Sequence, residues 1–399
     1  SLKSVTKWYG YIDSPDRTNE FMRRAFTMLR NGPPGPVVIA VPDASALFDE
    51  DLDPYSAVRC WKYGPDPADV TEAIDLVMGS SDPILYVGEG AVYAGAEDAL
   101  KEFAELSDMP VITTLKAKGV FPENHPLSAG VRGKHTAYFL EKSDLILSVG
   151  SSLSPGRFSH AIPNPSSKKI IICGLNELHI NKIYPTTHAV LGDADITLRA
   201  LTNELRSKTS GHGISNQDQV DKIEQQRNED KIIYQEAMNS SDMPINPYRV
   251  YSDLMEALDS QNSFVTHESG NTRDQLSTVY ETVIPRGFLG WGNVSSLGFS
   301  LPAAMAARIA FPKRRSVAVT GEAGLGYMLG NLEVPVREKI GITVLHISNG
   351  GFSGYGPGFW GEGHDPYTHK VLNYETVDMS KAIEQLGLHS ERVSDPKDI

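Results

Sequence analysis

Short apolar runs recur along this chain, and most are continuous instead of alternating with polar residues. The clearest are VVIAVP at 37–42, PILYVG at 83–88, VITT at 111–114 and LILSVG at 145–150. KIIIC at 169–173, SFVTH at 263–267, SVAVT at 316–320 and TVLHIS at 343–348 follow. A run that is apolar at successive positions suits a strand buried on both faces, the habit of parallel sheets covered by helices. Between the runs lie segments of helical spacing. Phe21, Ala25, Phe26, Met28 and Leu29 follow a Ser14-Pro15-Asp16 start, EDALKEFAELS fills 97–107, and YRVYSDLMEAL fills 248–258 behind Pro244-Ile245-Asn246-Pro247. This alternation predicts an α/β chain of successive doubly wound parallel sheets.

The pattern divides the chain. Residues 1–50 read as the closing helix and strand of a domain, since one helix and one strand cannot bury VVIAVP. Residues 51–67 are rich in Asp and Pro and read as a linker. A central Rossmann-like domain is expected over 68–205, and a polar linker over 206–243. Its charged run QDQVDKIEQQRNEDK is expected as one solvated helix. A third domain covers 244–399, and its pattern stops before such a sheet would close. One local conflict stands out. Pro335 falls inside the helical segment YMLGNLEVPVREK, so that helix either begins late, near Val334, or kinks.

Composition narrows the functional classes. A chain of 399 residues with 40% hydrophobic and 22% charged content is ordinary for α/β proteins. A net charge of −13 argues against a nucleic-acid or anionic-membrane surface, but not against a small anionic substrate. Two cysteines, Cys60 and Cys173, are too few for a disulfide scaffold and fit a reducing, cytoplasmic setting. No apolar run approaches the ~20 residues that span a bilayer.

The chemistry gathers at 316–351. Strand SVAVT leads into Gly321-Glu322-Ala323-Gly324, a helix follows, and strand TVLHIS ends at Asn349-Gly350-Gly351. In a right-handed βαβ unit the two strand ends lie side by side, so Glu322 and Asn349 can converge. Ala323 and Gly324 leave backbone N–H groups open to a phosphate, and a carboxylate, an amide and a carbonyl are hard ligands suited to Mg²⁺. The same spacing also suits an ordinary crossover with a capping carboxylate.

Gly321-Glu322-Ala323 and Ser348-Asn349 resemble the metal–diphosphate signature of thiamine diphosphate (ThDP) enzymes, Gly-Asp-Gly, about 26 residues, then Asn-Asn. Glu replaces Asp and Ala replaces the second Gly. Glu268-Ser269-Gly270-Asn271-Thr272 resembles the Glu-Gly-Ala-Asn-Thr segment of oxalyl-CoA decarboxylases and 2-hydroxyacyl-CoA lyases. Residues 290–304 resemble Gly-x-x-Gly-x-Met-Gly-x-x-x-Pro-Ala-Ala, with Ser295 for Gly and Leu297 for Met. The chain is therefore identified as a member of the ThDP superfamily, on the acetolactate synthase / 2-hydroxyacyl-CoA lyase branch.

The resemblance implies ThDP and Mg²⁺ as cofactors. Glu322, Asn349 and the Gly351 carbonyl would hold the metal. Gly270, Asn271, Ala323 and Gly324 would hold the diphosphate, and Ser295 and Leu297 would meet the aminopyrimidine. Leu297 would enforce the bent cofactor geometry. The resemblance also implies a homodimer or homotetramer, and an activating glutamate in a pyrimidine domain whose final helix and strand are residues 1–50. No residue there can be assigned that role. C–C cleavage or ligation on 2-keto acids is the leading implication. A 2-hydroxyacyl-CoA lyase or oxalyl-CoA decarboxylase acting on an acyl-CoA comes second, and a non-catalytic subunit of the same fold third.

Four motifs stay open. Gly88-Glu89-Gly90 through Gly95 has a GxGxxxxG spacing that departs from the dinucleotide fingerprint and equally serves tight packing. Ser152 and Ser154 stand where flavin-binding relatives carry Arg and Asp, which counts against FAD. The central domain holds FAD, ADP or CoA, or nothing. His267 is a tempting acid–base group, although a lone strand-end histidine more often serves structure. Phe352 to Gly361 reads equally as an apolar lid and as a Gly-rich surface loop.

Overall fold

The structure is a computed structural model, and it describes residues 2–41, 51, 56, 58–156, 159–292, 295–348, 350 and 377–399. Three parallel sheets carry the fold. The smallest pairs β1 (Trp8–Tyr11) with β2 (Val37–Ala40) across helix α1 (Thr18–Arg30). Strand β1 went unforeseen: its WYGY is short and interrupted by Gly10, which gives weak pattern signal. It supplies β2 with a partner, yet every residue of β2 remains half-buried, and Phe26 and Leu29 of α1 are exposed.

The central sheet has five strands in the order β4-β3-β5-β6-β7. They are β3 (Pro83–Val87), β4 (Val111–Thr113), β5 (Leu145–Val149), β6 (Lys169–Gly174) and β7 (His188–Leu191). Every residue of β3 and β5 is buried, as the continuous apolar runs require. Helices α2 (Pro67–Met78), α3 (Glu89–Ala94), α4 (Glu97–Ser107), α5 (Lys134–Lys142) and α6 (Ala194–Lys208) flank the strands, and α2 and α4 pack against α6. Their starts follow capping rules. Pro67 opens α2 behind Asp66, whose carboxylate accepts from Ala68 N, and Asp193 caps α6 in the same way.

Helix α7 (Gln217–Met238) corrects the expectation of a wholly solvated linker helix. Ile223 is fully buried in the central core, and the Asp230 carboxylate pairs with the His135 ring and backbone N–H. Arg227 donates to the carbonyl oxygens of His125 and Glu123 at 3.0 and 2.9 Å. Charged residues gave no sign of these specific partners, which lie far away in sequence.

The third sheet is β11-β10-β8-β9, all parallel. It comprises β8 (Ser263–His267), the short β9 (Phe288–Leu289), β10 (Arg315–Gly321) and β11 (Thr343–Ile347). Helices α8 (Pro247–Ala257), α9 (Asn271–Val279), α10 (Ser300–Ala310), α11 (Glu322–Met328) and α12 (Glu333–Arg337) accompany it. The conflict at Pro335 resolves simply. Helix α11 ends at Met328, a 3₁₀ turn spans Leu329–Leu332, and α12 starts at Glu333. Pro335 thus sits in a first turn, where a missing N–H costs no intrahelical bond.

The loop after β4 joins the central and third layers. Lys118 Nζ donates to both Glu123 carboxylate oxygens at 2.6 Å, with the two side chains only 2% and 10% exposed. Glu123 in turn brackets Thr282, its N–H donating to the Thr282 carbonyl at 3.0 Å and its carboxylate accepting from Thr282 N at 2.7 Å. Among the described residues no helix is long and apolar enough to cross a membrane.

Candidate functional site

Because β8, β10 and β11 are parallel neighbours, their carboxyl ends lie side by side. The register pairs His267 with Val319 and Gly321 with Ile347, so the turns at 268–270 and 321–324 meet Ser348 at one edge. Open α/β sheets bind ligands at this kind of edge.

Each turn brings a distinct group. Gly270 has φ +97°, a conformation that disfavours side chains, and it leads into α9 with Asn271 as the first helical residue. A Cβ added at Gly270 or Gly321 would meet nothing within 4 Å, so both turns face open space. Gly324 is different. It is buried, and a Cβ there would overlap the Glu268 side chain. Ala323 is half-buried beside it. Glu322 starts α11, and its Oε1 accepts from Ser348 Oγ at 2.7 Å and from Gly350 N at 3.4 Å. Its Oε2 lies 3.5 Å from His346 Nε2.

Ser295 and Leu297 arrive after β9. The Ser295 hydroxyl bonds to Ser269 Oγ and accepts from Arg273 Nη1 at 3.0 Å. Leu297 is half-buried, and the following Gly298 lies over Met328 of α11. The structure therefore brings Gly270, Asn271, Ser295, Leu297, Glu322, Ala323 and Gly324 to one edge. Asn349, Gly351 and the 352–361 segment lie outside the described residues.

Sequence reasoning missed three side chains. Glu268 is 1% exposed, and its carboxylate accepts from Ser269 N, Phe299 N, Ser300 N and Ser300 Oγ, holding the start of α10 onto the end of β8. Arg273, also 1% exposed, bonds Asp274 at 2.9 Å, and Asp274 reaches Arg132 of the central layer at 2.9 Å. His346 follows two apolar residues inside the short strand β11, and that polar position was the readable signal.

His267 is structural. Its ring stacks on Phe288 with centroids 5.0 Å apart, Nδ1 faces the Glu268 carbonyl, and the ring fills the space against Gly290. Burial pushes its pKa down to about 4. The folded value lies below the unfolded one, so the unfolded chain binds the extra proton between the two. Stability should therefore be full above about pH 6.5 and fall by about 3 kcal/mol as pH drops to about 4. Denaturant midpoints between pH 7 and pH 4.5 test this. His267→Leu should show a flatter profile, and an equal slope in both proteins would refute the assignment. His346 is likewise lowered by burial, against the opposing pull of the Glu322 charge.

A second concavity of about 620 Å³ opens at the carboxyl edge of the central sheet. Gly88 and Gly90 press directly on the Gly150 backbone there, so these glycines permit one turn to lie on another. Ser152 and Ser154 bond each other at 3.0 Å in its wall.

The donors at the first edge can be matched to the groups the fold implies. Open turns at Gly270 and Gly321 leave room for a diphosphate, and the Glu322 carboxylate suits a divalent cation. The adjacent imidazole is a donor that an all-oxygen Mg²⁺ shell does not call for.

Two family models match in sequence order. Residues 70–201 match "Thiamine pyrophosphate enzyme, central domain", and residues 268–399 match "Thiamine pyrophosphate enzyme, C-terminal TPP binding domain". The chain belongs to the thiamine pyrophosphate enzyme family, among its acetolactate synthase-like members. A probable acetolactate synthase large subunit of Methanocaldococcus jannaschii is 28% identical over 415 residues, taking in 99% of this chain and 68% of the relative. A probable acetolactate synthase large subunit of Methanococcus aeolicus is 28% identical over 343 residues, 82% of this chain and 57% of the relative. A glyoxylate carboligase of Escherichia coli O157:H7 is 24% identical over 352 residues, 86% of this chain and 58% of the relative. The chain thus spans between 57% and 68% of the length of these three relatives.

Proposed function

We propose that this chain binds thiamine diphosphate across the ends of β8, β10 and β11 and serves ThDP-dependent carboligation or decarboxylation of small 2-keto acids. The observation that carries this reading is the pair of open turns at Gly270 and Gly321, set between the Glu322 carboxylate and the Ser269–Ser295 hydroxyls. A diphosphate needs that space and backbone N–H groups at its walls. The bound cofactor supplies a carbon nucleophile that accepts the electrons of the broken C–C bond.

The chain's own residues have separate duties. Gly270, Asn271, Ala323 and Gly324 line the diphosphate. Glu322, with Asn349 and Gly351, holds the divalent cation, for which Mg²⁺ is the family expectation. Ser295 and Leu297 meet the ring end, with Arg273 and Ser269 fixing Ser295. Glu268 keeps the β8 turn and α10 in one rigid unit, so the two walls cannot drift apart.

Calorimetry with thiamine diphosphate, with and without a divalent cation, tests the reading. Binding should require the cation and vanish with chelator, and thiamine lacking the diphosphate should not bind. Glu322→Asp should bind within a few-fold of the parent, whereas Glu322→Ala should weaken binding by a factor of ten or more. Normal cofactor affinity in the alanine variant would leave Glu322 only its place at the start of α11.

A further inference from the structure

We propose that His346 shares the cation with Glu322, and that its imidazole nitrogen makes this site favour a first-row transition dication over Mg²⁺. The inference rests on the thiamine diphosphate reading of the same edge and concerns which metal that edge selects.

Position and chemistry both point this way. In the β10–β11 register His346 pairs with Thr320, two residues before Glu322, and on a strand it shares a face with Ser348. Ser348 Oγ and Gly350 N both occupy Glu322 Oε1, which leaves Oε2 turned towards the ring. The Oε2–Nε2 separation is 3.5 Å, and His346 Nε2 is buried without a hydrogen-bond partner. That separation is a loose ion-pair distance, longer than the about 2.8 Å of a full charge-assisted hydrogen bond. Two neighbouring ligands of one octahedral cation, each about 2.1 Å from it, sit about 3 Å apart. At 3.5 Å the two side chains are close enough to serve as neighbouring ligands of one ion after a small adjustment. The longer Glu side chain, in place of the family's Asp, extends the carboxylate towards the ring.

Donor type then sets preference. Mg²⁺ takes hard oxygen ligands in near-ideal geometry and gains little from an imidazole. Co²⁺, Fe²⁺ and Zn²⁺ gain substantially from one. The expected consequence is a large Co²⁺-over-Mg²⁺ selectivity that depends on residue 346.

The experiment titrates the metal-free protein with Co²⁺ and with Mg²⁺, at one fixed concentration of thiamine diphosphate, by calorimetry, with the same titrations into thiamine diphosphate alone subtracted. The parent should bind Co²⁺ at least about 100-fold more tightly than Mg²⁺. His346→Leu should shrink that ratio about tenfold or more while Mg²⁺ affinity changes less than about threefold. A second readout needs no variant: pulsed EPR of Mn²⁺ bound to the parent should show coupling to an imidazole nitrogen. An unchanged ratio in His346→Leu, or Mn²⁺ bound without nitrogen coupling, overturns the inference. If thiamine diphosphate binds equally well in chelator and no cation binds, the metal inference falls together with the cation role of Glu322, and only the diphosphate part of the cofactor reading stands. If neither binds, both fall.

Discussion

Replacing Glu268 with alanine should cost about 3–5 kcal/mol of stability and abolish thiamine diphosphate binding together. One buried carboxylate accepts from three backbone N–H groups and one hydroxyl, drawn from both the β8 turn and the start of α10. Removing it leaves the buried Ser300 N–H and hydroxyl without a partner, at about 1–3 kcal/mol each, and also frees the half-buried N–H groups of Ser269 and Phe299. It also opens a cavity beneath Gly324, whose approach is set by the Glu268 side chain. Glu268→Gln should fall between, because its amide N–H₂ would face a donor at Ser300. Urea unfolding reads the stability and calorimetry reads the binding. A loss under about 1 kcal/mol in the alanine variant would mean that other groups hold α10 to β8.

Lys118→Met should destabilise by a similar amount for a different reason. It strands the nearly buried Glu123 carboxylate between the central and third layers, and breaking such a pair from one side costs about 3–5 kcal/mol. Lys118 also lies 5.5 Å from the centre of the Phe288 ring, so its removal loosens the strand beside β8. The double variant Lys118→Met/Glu123→Leu should recover much of the loss, since no charge is left uncompensated. Hydrogen exchange at the Thr282 amide, which donates to Glu123, should quicken in the single variant first. Additive losses in the double variant would show that the two side chains act independently.

The long continuous runs were the legible part of the fold, because a strand buried on both faces leaves a pattern that needs no partner to be read. β1, β7 and β9 were not legible. Their sequences are broken by Gly10 in β1, polar-led in β7 and only two residues in β9, so no continuous apolar run marks them. At the site, Glu322 was read from its spacing to Asn349 and Gly270 from a resembling motif, and both fall in turns between strand and helix. Glu268 was quoted within its motif, but its role was not, for that role depends on Ser300, which is brought close only by the sheet. Arg273 likewise reads as one more helix charge until Ser295 and Asp274 surround it.

The parallel arrangement has a kinetic consequence. The three strand ends at 267, 321 and 347 can meet only after two crossovers have closed, so no local segment forms the pocket early. Pairings of this kind are slow to form, because chain entropy is lost before the pairing repays it. The pocket therefore exists only once the whole sheet has assembled. A ligand that binds only the assembled sheet should stabilise the folded state and lengthen its lifetime.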